Sequence, residues 1–216
     1  MIRLVCLLLI IASSVNAQSN RFYYELQFKN DTISPDYKKE YFIVDVNPKS
    51  VKFFSLIDYK NDSIMKLNNQ DSDYQRTAFH HYISRKRNSF NNTKYFFAGE
   101  TYAKMESRDE MKWKILSEVK MIGIYKVQAA TTEFGGRKWF AWFSNSIPIN
   151  EGPYKFCGLP GMILEIYDND KYFHFVFIKN EKLKTEYGTS DIMEKRWGET
   201  PLLINKKQYF SLKQKE

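Results

Sequence analysis

GPYKFCGLPGMILEIY, residues 152–167, places three glycines and two prolines in front of an apolar run. Glycine reaches backbone angles that are closed to other residues, and proline fixes its own φ and removes a hydrogen-bond donor. We therefore predict two turns, one at Gly152-Pro153 and one formed by Gly158, Leu159, Pro160 and Gly161. The alternating residues 162–178 that follow predict a β-hairpin with its turn at 168–170.

Short bursts of aromatic, Val and Ile residues recur along the rest of the chain, and aromatic residues make up 17% of it. Such side chains pack well on a pleated, half-buried surface, so this composition predicts strands. The pair Gly135-Gly136 and the stretch 47–50 are typical of turns between strands. The predicted fold is mostly β: a single domain of curved antiparallel sheet, open-barrel or sandwich-like, with one or two short helices.

Three segments refine this prediction. Residues 93–106 and 111–134 are each predicted as one long strand, with a turn between them at 106–110. Ser190 can cap a short helix over 191–197, since a glycine ends that segment and a proline follows it. The end of the chain, from Leu202, is predicted as a strand followed by a polar tail.

The N-terminus predicts export. A short positive start, an apolar core and the small residues Val15-Asn16-Ala17 form the pattern of a secretory signal peptide over residues 1–17, which leaves residues 18–216 as the mature domain. No later segment approaches about 18 uninterrupted apolar residues, so we expect no transmembrane segment in the mature chain. The expected location is the periplasm or the outer cell surface.

The formal net charge is +8, and such a surplus favours anionic partners. The basic residues are scattered along the chain, and an exported protein rarely meets a nucleic acid. We therefore expect no nucleic-acid partner, and a solvated basic surface that faces acidic envelope glycans or lipids.

Cys157 is the only cysteine that follows the predicted signal peptide. A catalytic thiol needs a lowered pKa, access and a base, and the turns around Cys157 could expose it. The alternative is a buried thiol that acts as a small hydrophobe, as free cysteines usually do. A serine hydrolase is not indicated, because the chain has no G-x-S-x-G stretch.

Other candidates for chemistry are few. His80 and His81 are adjacent, and no cysteine or carboxylate cluster at metal-ligand spacing accompanies them, so we predict no metal and no cofactor. His174 alternates with aromatic residues and is predicted to be a wall residue. Glu133, Glu165 and Asp168 could supply paired catalytic carboxylates. Alternatively, Glu165 could form an ion pair with Arg137 or Lys138 of another strand.

RKWFAWFS, residues 137–144, carries apolar residues on both faces of a predicted strand. Trp139 lies on one face and Trp142 on the other, because successive side chains of a strand alternate. A strand buried on both sides explains the pattern. A carbohydrate- or lipid-binding cleft, with the tryptophans as stacking platforms, explains it as well.

The stretch Gly158-Leu159-Pro160-Gly161-Met162-Ile163 resembles the signature of the GLPGLI family of exported bacterial proteins, with Met162 where the family name has leucine. The resemblance extends over residues 124–168, through an A-T stretch, the G-R-x-W-x-A-W strand that carries Arg137, an I-P, a G-P and then the signature. Members often carry cysteine where this chain has Val127, and the place of Cys157 is often aromatic or small.

The resemblance implies an exported protein of the Bacteroidota envelope and defines no reaction. It also implies an accessory role beside TonB-dependent outer-membrane receptors, with a receptor or another envelope component as the partner. In such bacteria the tripeptides at Thr32 and Ser63 resemble acceptors for O-glycosylation.

Two functional hypotheses follow. The first is a non-enzymatic domain that binds a ligand or partner, with Arg137, Trp139, Trp142 and the signature as the candidate binding residues. The second is an envelope hydrolase that uses Cys157 or the carboxylates of Glu133 and Glu165.

Overall fold

The strands of this protein join into one open sheet in the order β12-β6-β5-β4-β3-β2-β1-β11-β10-β9-β8-β7. The computed structural model describes residues 19–29, 36–61, 75–79, 82–98, 101–183 and 200–213. The predictions on residues 1–17, Thr32, Ser63, His80, His81 and the helix over 191–197 lie outside these ranges. The strands are β1 (Ser19–Phe28), β2 (Lys38–Val46), β3 (Ser50–Ser55), β4 (Tyr82–Lys86), β5 (Asn91–Ala98), β6 (Thr101–Arg108), β7 (Lys114–Ile122), β8 (Tyr125–Phe134), β9 (Arg137–Ser144), β10 (Met162–Asp168), β11 (Phe173–Leu183) and β12 (Leu202–Leu203).

Two antiparallel meanders build the sheet. Strands β1 to β6 pair in chain order, and so do β7 to β11. The pairing of β1 with β11 joins the meanders, and the short β12 runs parallel to β6. Within the described ranges, two short helical segments accompany the sheet: residues 56–61 and the C-terminal helix Lys206–Lys213. The predicted fold, a mostly β single domain with a curved open sheet and one or two short helices, is confirmed.

The sheet curls strongly around its core. Phe53 of β3 and Phe175 of β11 lie with ring centroids 6.1 Å apart, although three strand steps separate β3 from β11 in the sheet. Those steps would span about 14 Å in a flat sheet, since neighbouring strands lie about 4.8 Å apart. We call the concave side, which carries Phe53, Phe175 and the largest buried cluster, the inner face.

Predicted turns and strands differ from the structure at four places. Residues 93–106 and 111–134 are not single long strands, because each divides into two antiparallel strands, β5 with β6 and β7 with β8. The turn between β7 and β8 needs Gly123, whose φ of +55° is open to glycine at little cost. The predicted polar tail after Leu202 is wrong, since residues 206–213 form a helix. The predicted turn at 106–110 is also wrong, because residues 106–108 continue β6 and residues 109–113 lead to β7 at the far edge of the sheet.

The remaining predicted turns are confirmed. Gly135 and Gly136 both adopt positive φ between β8 and β9. Between β2 and β3, the side-chain carbonyl of Asn47 accepts hydrogen bonds from the backbone N–H groups of Lys49 (2.9 Å) and Ser50 (2.7 Å). The hairpin of β10 and β11 forms as predicted, with Ile166 opposite Phe175.

Candidate functional site

Residues 145–161 leave β9, cross the inner face and return to β10. Met162 donates its backbone N–H to the carbonyl of Ile147 (3.0 Å), and Gly158 donates to Asn150 (2.9 Å). Glu151 and Cys157 face each other in an isolated antiparallel bridge. We call residues 145–161 the crossing segment; it contains both of the turns that the sequence predicts.

The glycines of the crossing segment are required by space and backbone angle. A Cβ at Gly161 would lie 2.1 Å from the carbonyl oxygen of Ser144, and a Cβ at Gly152 would lie 2.8 Å from the side chain of Ile163. Gly158 has a φ of +97°, a conformation that side-chain-bearing residues rarely adopt. Between them Leu159 is 1% exposed in the core. The signature is therefore an architectural element, with Pro160 on its exposed side.

Two buried polar clusters fasten the crossing segment to the first meander. Glu151 pairs with Arg85 of β4 and, at 3.0 Å, with Arg87. The Lys155 ammonium lies 2.8 Å from Asp109 and donates to the hydroxyl of Ser107 at 2.8 Å. Removing one partner of such a buried pair leaves an uncompensated charge, which costs about 3–5 kcal/mol. The crossing segment is thus held in one position across the sheet.

Tyr154, in the crossing segment, has an unusual backbone conformation. Its φ is +56°, which is uncommon for a non-glycine residue. The conformation directs its ring edge-on to Phe53, with centroids 6.1 Å apart. Burial raises the pKa of the Tyr154 phenol to about 12. The ring therefore presents a neutral wall to the space beside it.

That space is a partly open apolar pocket of about 170 Å³ on the inner face. Its walls come from both meanders and from the crossing segment, and every one of its lining side chains except the Tyr154 phenol and the Trp139 indole is a hydrocarbon. The lining residues are Leu26, Phe42, Phe53, Phe79, Trp139, Tyr154, Phe173 and Phe175. A cavity of about 150 Å³ can hold benzene, so this one suits a group of similar size.

Trp139 and Trp142 lie on opposite faces of β9, as the predicted alternation requires. Trp139 is 7% exposed, lines the pocket and donates its indole N–H to the carbonyl of Phe134 at 2.9 Å. Trp142 is half-buried on the other, outer face, where the ammonium of Lys120 lies 4.3 Å from its ring centroid. The structure therefore divides the predicted binding set between two surfaces.

Arg137 stands at the edge of the pocket. It is two residues before Trp139 on the same face of β9, and its guanidinium carbon lies 5.4 Å from the ring centroid of the pocket residue Phe173 and 5.1 Å from that of Tyr172. Its Nη1 pairs with the carboxylate of Asp168, which is 1% exposed. The Arg137 side chain itself is 38% exposed.

The outer face of β9–β11 carries ion pairs and a pair of stacked aromatic rings. Glu165 binds Lys120 and lies 2.9 Å from His174, while the rings of Phe140 and Tyr167 stack with centroids 5.7 Å apart. Burial raises the pKa of Glu165, but the hydrogen bonds from His174 and Lys120 outweigh it and hold the pKa below its ordinary value. Glu165 therefore forms an ion pair, as predicted, but its partners are Lys120 and His174. The prediction that Arg137 or Lys138 is its partner is wrong.

The hydrolase candidates show no shared site. Cys157 is 3% exposed, and burial raises the pKa of its thiol to about 11. Its backbone carbonyl accepts a hydrogen bond from the indole of Trp113 at 2.8 Å. Glu133 is exposed at the β8–β9 turn, and none of its contacts within the described ranges joins it to Glu165. In the same ranges no group of three or more His, Cys, Asp or Glu residues could hold a metal ion.

A second cavity lies among β3 to β6, away from the aromatic pocket. It is a wide polar crevice of about 810 Å³ whose walls include Lys49, Ser84, Lys86, Thr93 and Arg108. No candidate residue from the sequence falls in it. None of the helices in the part of the chain that the structure describes is long and apolar enough to cross a membrane.

Sequence reasoning missed Tyr154 and the first-meander walls of the pocket. Tyr154 follows Gly152-Pro153 directly, so an aromatic residue presented by a tight turn was the available signal. The walls Leu26, Phe42 and Phe53 look like ordinary inward-facing strand residues, and only the curl of the sheet brings them to Trp139.

These features define a single-domain, open-sheet β protein with an aromatic pocket. A family model described as "Protein of unknown function (Porph_ging)" matches residues 135–165, which include Arg137, Trp139, Tyr154 and the signature. The match is consistent with the resemblance to the GLPGLI family. The comparison with curated proteins finds no match.

Two solved structures share the fold. PNGF-II in a C2 crystal form has a TM-score of 0.67 at 14% identity, covering 91% of this chain and 32% of its own. PNGF-II in a P2₁ crystal form has a TM-score of 0.65 at 14% identity, covering 91% of this chain and 33% of its own. The chain thus spans about a third of the length of these structures. At this identity the likeness shows the fold alone.

Proposed function

We propose that this protein is a non-enzymatic binding module that holds a small apolar group of its ligand in the aromatic pocket of the inner face. The observation that carries the proposal is the pocket itself, a cavity of about 170 Å³ walled by hydrocarbon and aromatic side chains. A well-packed interior has few voids larger than a water molecule, so an apolar cavity of this size is a candidate binding site.

The polar groups around the pocket suit ligand binding better than catalysis. The Tyr154 phenol is protonated at neutral pH, since its pKa is raised by burial from 10.0 to about 12 and so lies even further above that pH. The Trp139 indole already donates to a backbone carbonyl, and Asp168 is engaged by Arg137 and by the backbone N–H of Phe173. A nucleophile or general base would need a free group with a pKa near the working pH.

Nuclear magnetic resonance with toluene as a neutral probe tests this proposal. The indole N–H signals of Trp139 and Trp142 report the two faces of β9 separately. We expect a saturable shift at Trp139 and little change at Trp142, because only Trp139 lines the cavity. An absent shift, or equal shifts at both indoles, would contradict the proposal.

A pair of enlarging substitutions provides the matched test. Leu26→Phe adds bulk to the pocket wall and should abolish the toluene-induced shift at Trp139. Val176→Phe makes a comparable change at a half-buried position outside the pocket lining and should leave the shift intact. Both variants should first be shown to keep the cooperative unfolding of the parent protein.

For the cellular role, we propose that the protein is exported and assists either an outer-membrane, TonB-dependent transport system or the upkeep of the envelope. The support is the signal-peptide pattern of residues 1–17, the resemblance around the signature and the basic net charge of +8. Mass spectrometry of the protein from the periplasmic and surface fractions should find a chain that begins at Gln18. Affinity capture from envelope extract should recover a receptor; recovery of the uncleaved chain from the cytoplasm would contradict export.

A further inference from the structure

Arg137 has hydrogen-bonding capacity that the fold does not use. An arginine guanidinium carries five N–H donors in a planar fork, and within the described residues the only hydrogen bond of Arg137 is that of Nη1 to Asp168. Its side chain is 38% exposed, so part of it is open to solvent. These donors lie at the edge of an apolar pocket.

The fold also fixes where these donors lie. Asp168 is 1% exposed, and its second carboxylate oxygen accepts the backbone N–H of Phe173 at 3.0 Å, so the anion that holds Arg137 is itself held. The guanidinium stacks over the rings of Tyr172 and Phe173. The turn before Tyr172 contains Lys171 at a φ of +52°. An oriented guanidinium loses less freedom when it binds a ligand than a mobile one does.

The pocket and the arginine are close enough to act on one molecule. Phe173 lines the pocket, and its ring centroid is 5.4 Å from the guanidinium carbon of Arg137. A ligand whose apolar part fills the pocket therefore leaves its next few atoms near the free donors. Arginine forms bidentate, charge-assisted hydrogen bonds with carboxylates, and these are stronger than hydrogen bonds between neutral groups.

We infer that the ligand of this site is a small carboxylic acid with a hydrocarbon tail, whose tail enters the aromatic pocket and whose carboxylate binds Arg137. The inference rests on the proposed binding function of the pocket. Charge complementarity selects the anion, and the hydrocarbon walls select the tail. The pocket volume of about 170 Å³ limits the buried part to a group about the size of one benzene ring.

Three probes with the same tail test the charge preference on the unmodified protein. Hexanoate, 1-hexanol and hexylamine are titrated at neutral pH and low salt while the indole N–H signal of Trp139 is followed. We expect hexanoate to bind about 10-fold more tightly than hexanol, since charge-assisted hydrogen bonds are stronger than hydrogen bonds between neutral groups. Hexylamine should bind most weakly of the three.

The outcomes separate this inference from the proposed function. If hexanol binds as tightly as hexanoate and both shift Trp139, the pocket binds ligands and the carboxylate preference is overturned. If no probe shifts Trp139, the proposed function fails and the inference fails with it. Hexylamine binding as tightly as hexanoate would also overturn the inference.

Arg137→Gln and Lys138→Gln form a matched pair of charge deletions on adjacent residues. Lys138 is exposed, and its ammonium lies 5.2 Å from the ring of Phe140 on the outer face. We expect Arg137→Gln to bind hexanoate and hexanol with equal affinity, and Lys138→Gln to keep the 10-fold preference. Equal loss in both variants would indicate a general charge effect and would overturn the role of Arg137.

Deleting Arg137 leaves the buried Asp168 without its cation, so the single variant could unfold. The double variant Arg137→Gln with Asp168→Asn removes both charges, and its amide can still accept the backbone N–H of Phe173. It should fold, bind hexanol like the parent and show no preference for hexanoate. A preserved preference in the folded double variant would overturn the inference.

Discussion

Both faces of β9 carry a tryptophan and a basic residue, but the surroundings of the two faces differ. On the outer face, lysines cover the rings: Lys120 lies 4.3 Å from the ring centroid of Trp142 and Lys138 lies 5.2 Å from that of Phe140. On the inner face, Trp139 borders a cavity and Arg137 lies to one side of it. The two faces differ because the crossing segment covers the inner face incompletely. On the outer face, flexible lysine side chains lie over the exposed rings.

The largest predicted effect concerns Gly161, at the end of the crossing segment that covers the inner face. Gly161→Ala would place a Cβ 2.1 Å from a backbone oxygen that cannot move alone, so we expect a loss of about 3 kcal/mol or more in the free energy of unfolding. Gly136→Ala is the control, because nothing lies within 4 Å of its Cβ and only its φ of +74° is unfavourable. That control should cost about 1–2 kcal/mol. Urea denaturation measures both, and equal losses would contradict the steric account.

Truncating each of the two tryptophans tests how much each face of β9 contributes to stability. Trp139→Ala removes a 7% exposed ring that packs 4.6 Å from Phe156, and it should cost about 3–5 kcal/mol. Trp142→Ala removes a half-buried ring and should cost about 1 kcal/mol, with toluene binding retained. Chemical denaturation gives the two free energies. A larger loss for Trp142→Ala would show that the outer surface, and not the pocket wall, supports the fold.

A smaller effect concerns Glu165 on the outer face, whose contribution to stability depends on pH. The pKa of Glu165 lies below its ordinary value of 4.5 in the folded protein, so its ion pairs stabilise the fold above that value and are lost as pH falls through the folded pKa. Glu165→Gln should therefore be less stable than the parent at pH 7, with the difference closing as pH falls below about 4.5. Glu133→Gln, at an exposed carboxylate, is the control and should follow the parent at every pH. A constant difference across the range would contradict the ionic contribution of Glu165.

The smallest effect is expected at Cys157. Its thiol is buried and its pKa is raised to about 11, so little thiolate forms at pH 7.5. Iodoacetamide should alkylate the native protein very slowly and the urea-unfolded protein quickly, as followed by mass spectrometry. Rapid alkylation of the native protein would restore the hydrolase hypothesis.

The features that sequence predicts here are those that depend on near neighbours. The turn at Gly135-Gly136 follows from two adjacent glycines, and the faces of Trp139 and Trp142 follow from strand alternation. Gly123 was missed as a turn because it stands alone between apolar residues, without the usual polar turn partners.

Features that depend on the approach of strands that are not neighbours could not be predicted. The partner of Glu165 is Lys120, on a strand three positions away in the sheet, and no local pattern indicates that approach. The pocket likewise joins Leu26 and Phe53 of the first meander to Trp139 and Phe175 of the second. Their contact requires the tertiary fold, which alternation within one strand does not specify.

The position of β1 in the middle of the sheet has a consequence for folding. Its partners are the neighbouring β2 and the distant β11, with Ser19 opposite Leu183 and Phe28 opposite Phe173. Each meander can form from local hairpins, but closing so long a stretch of chain is slow. The joining of β1 to β11 should therefore be the late step. Until then an apolar strand edge is open to pairing with other chains, so aggregation during refolding should rise steeply with protein concentration.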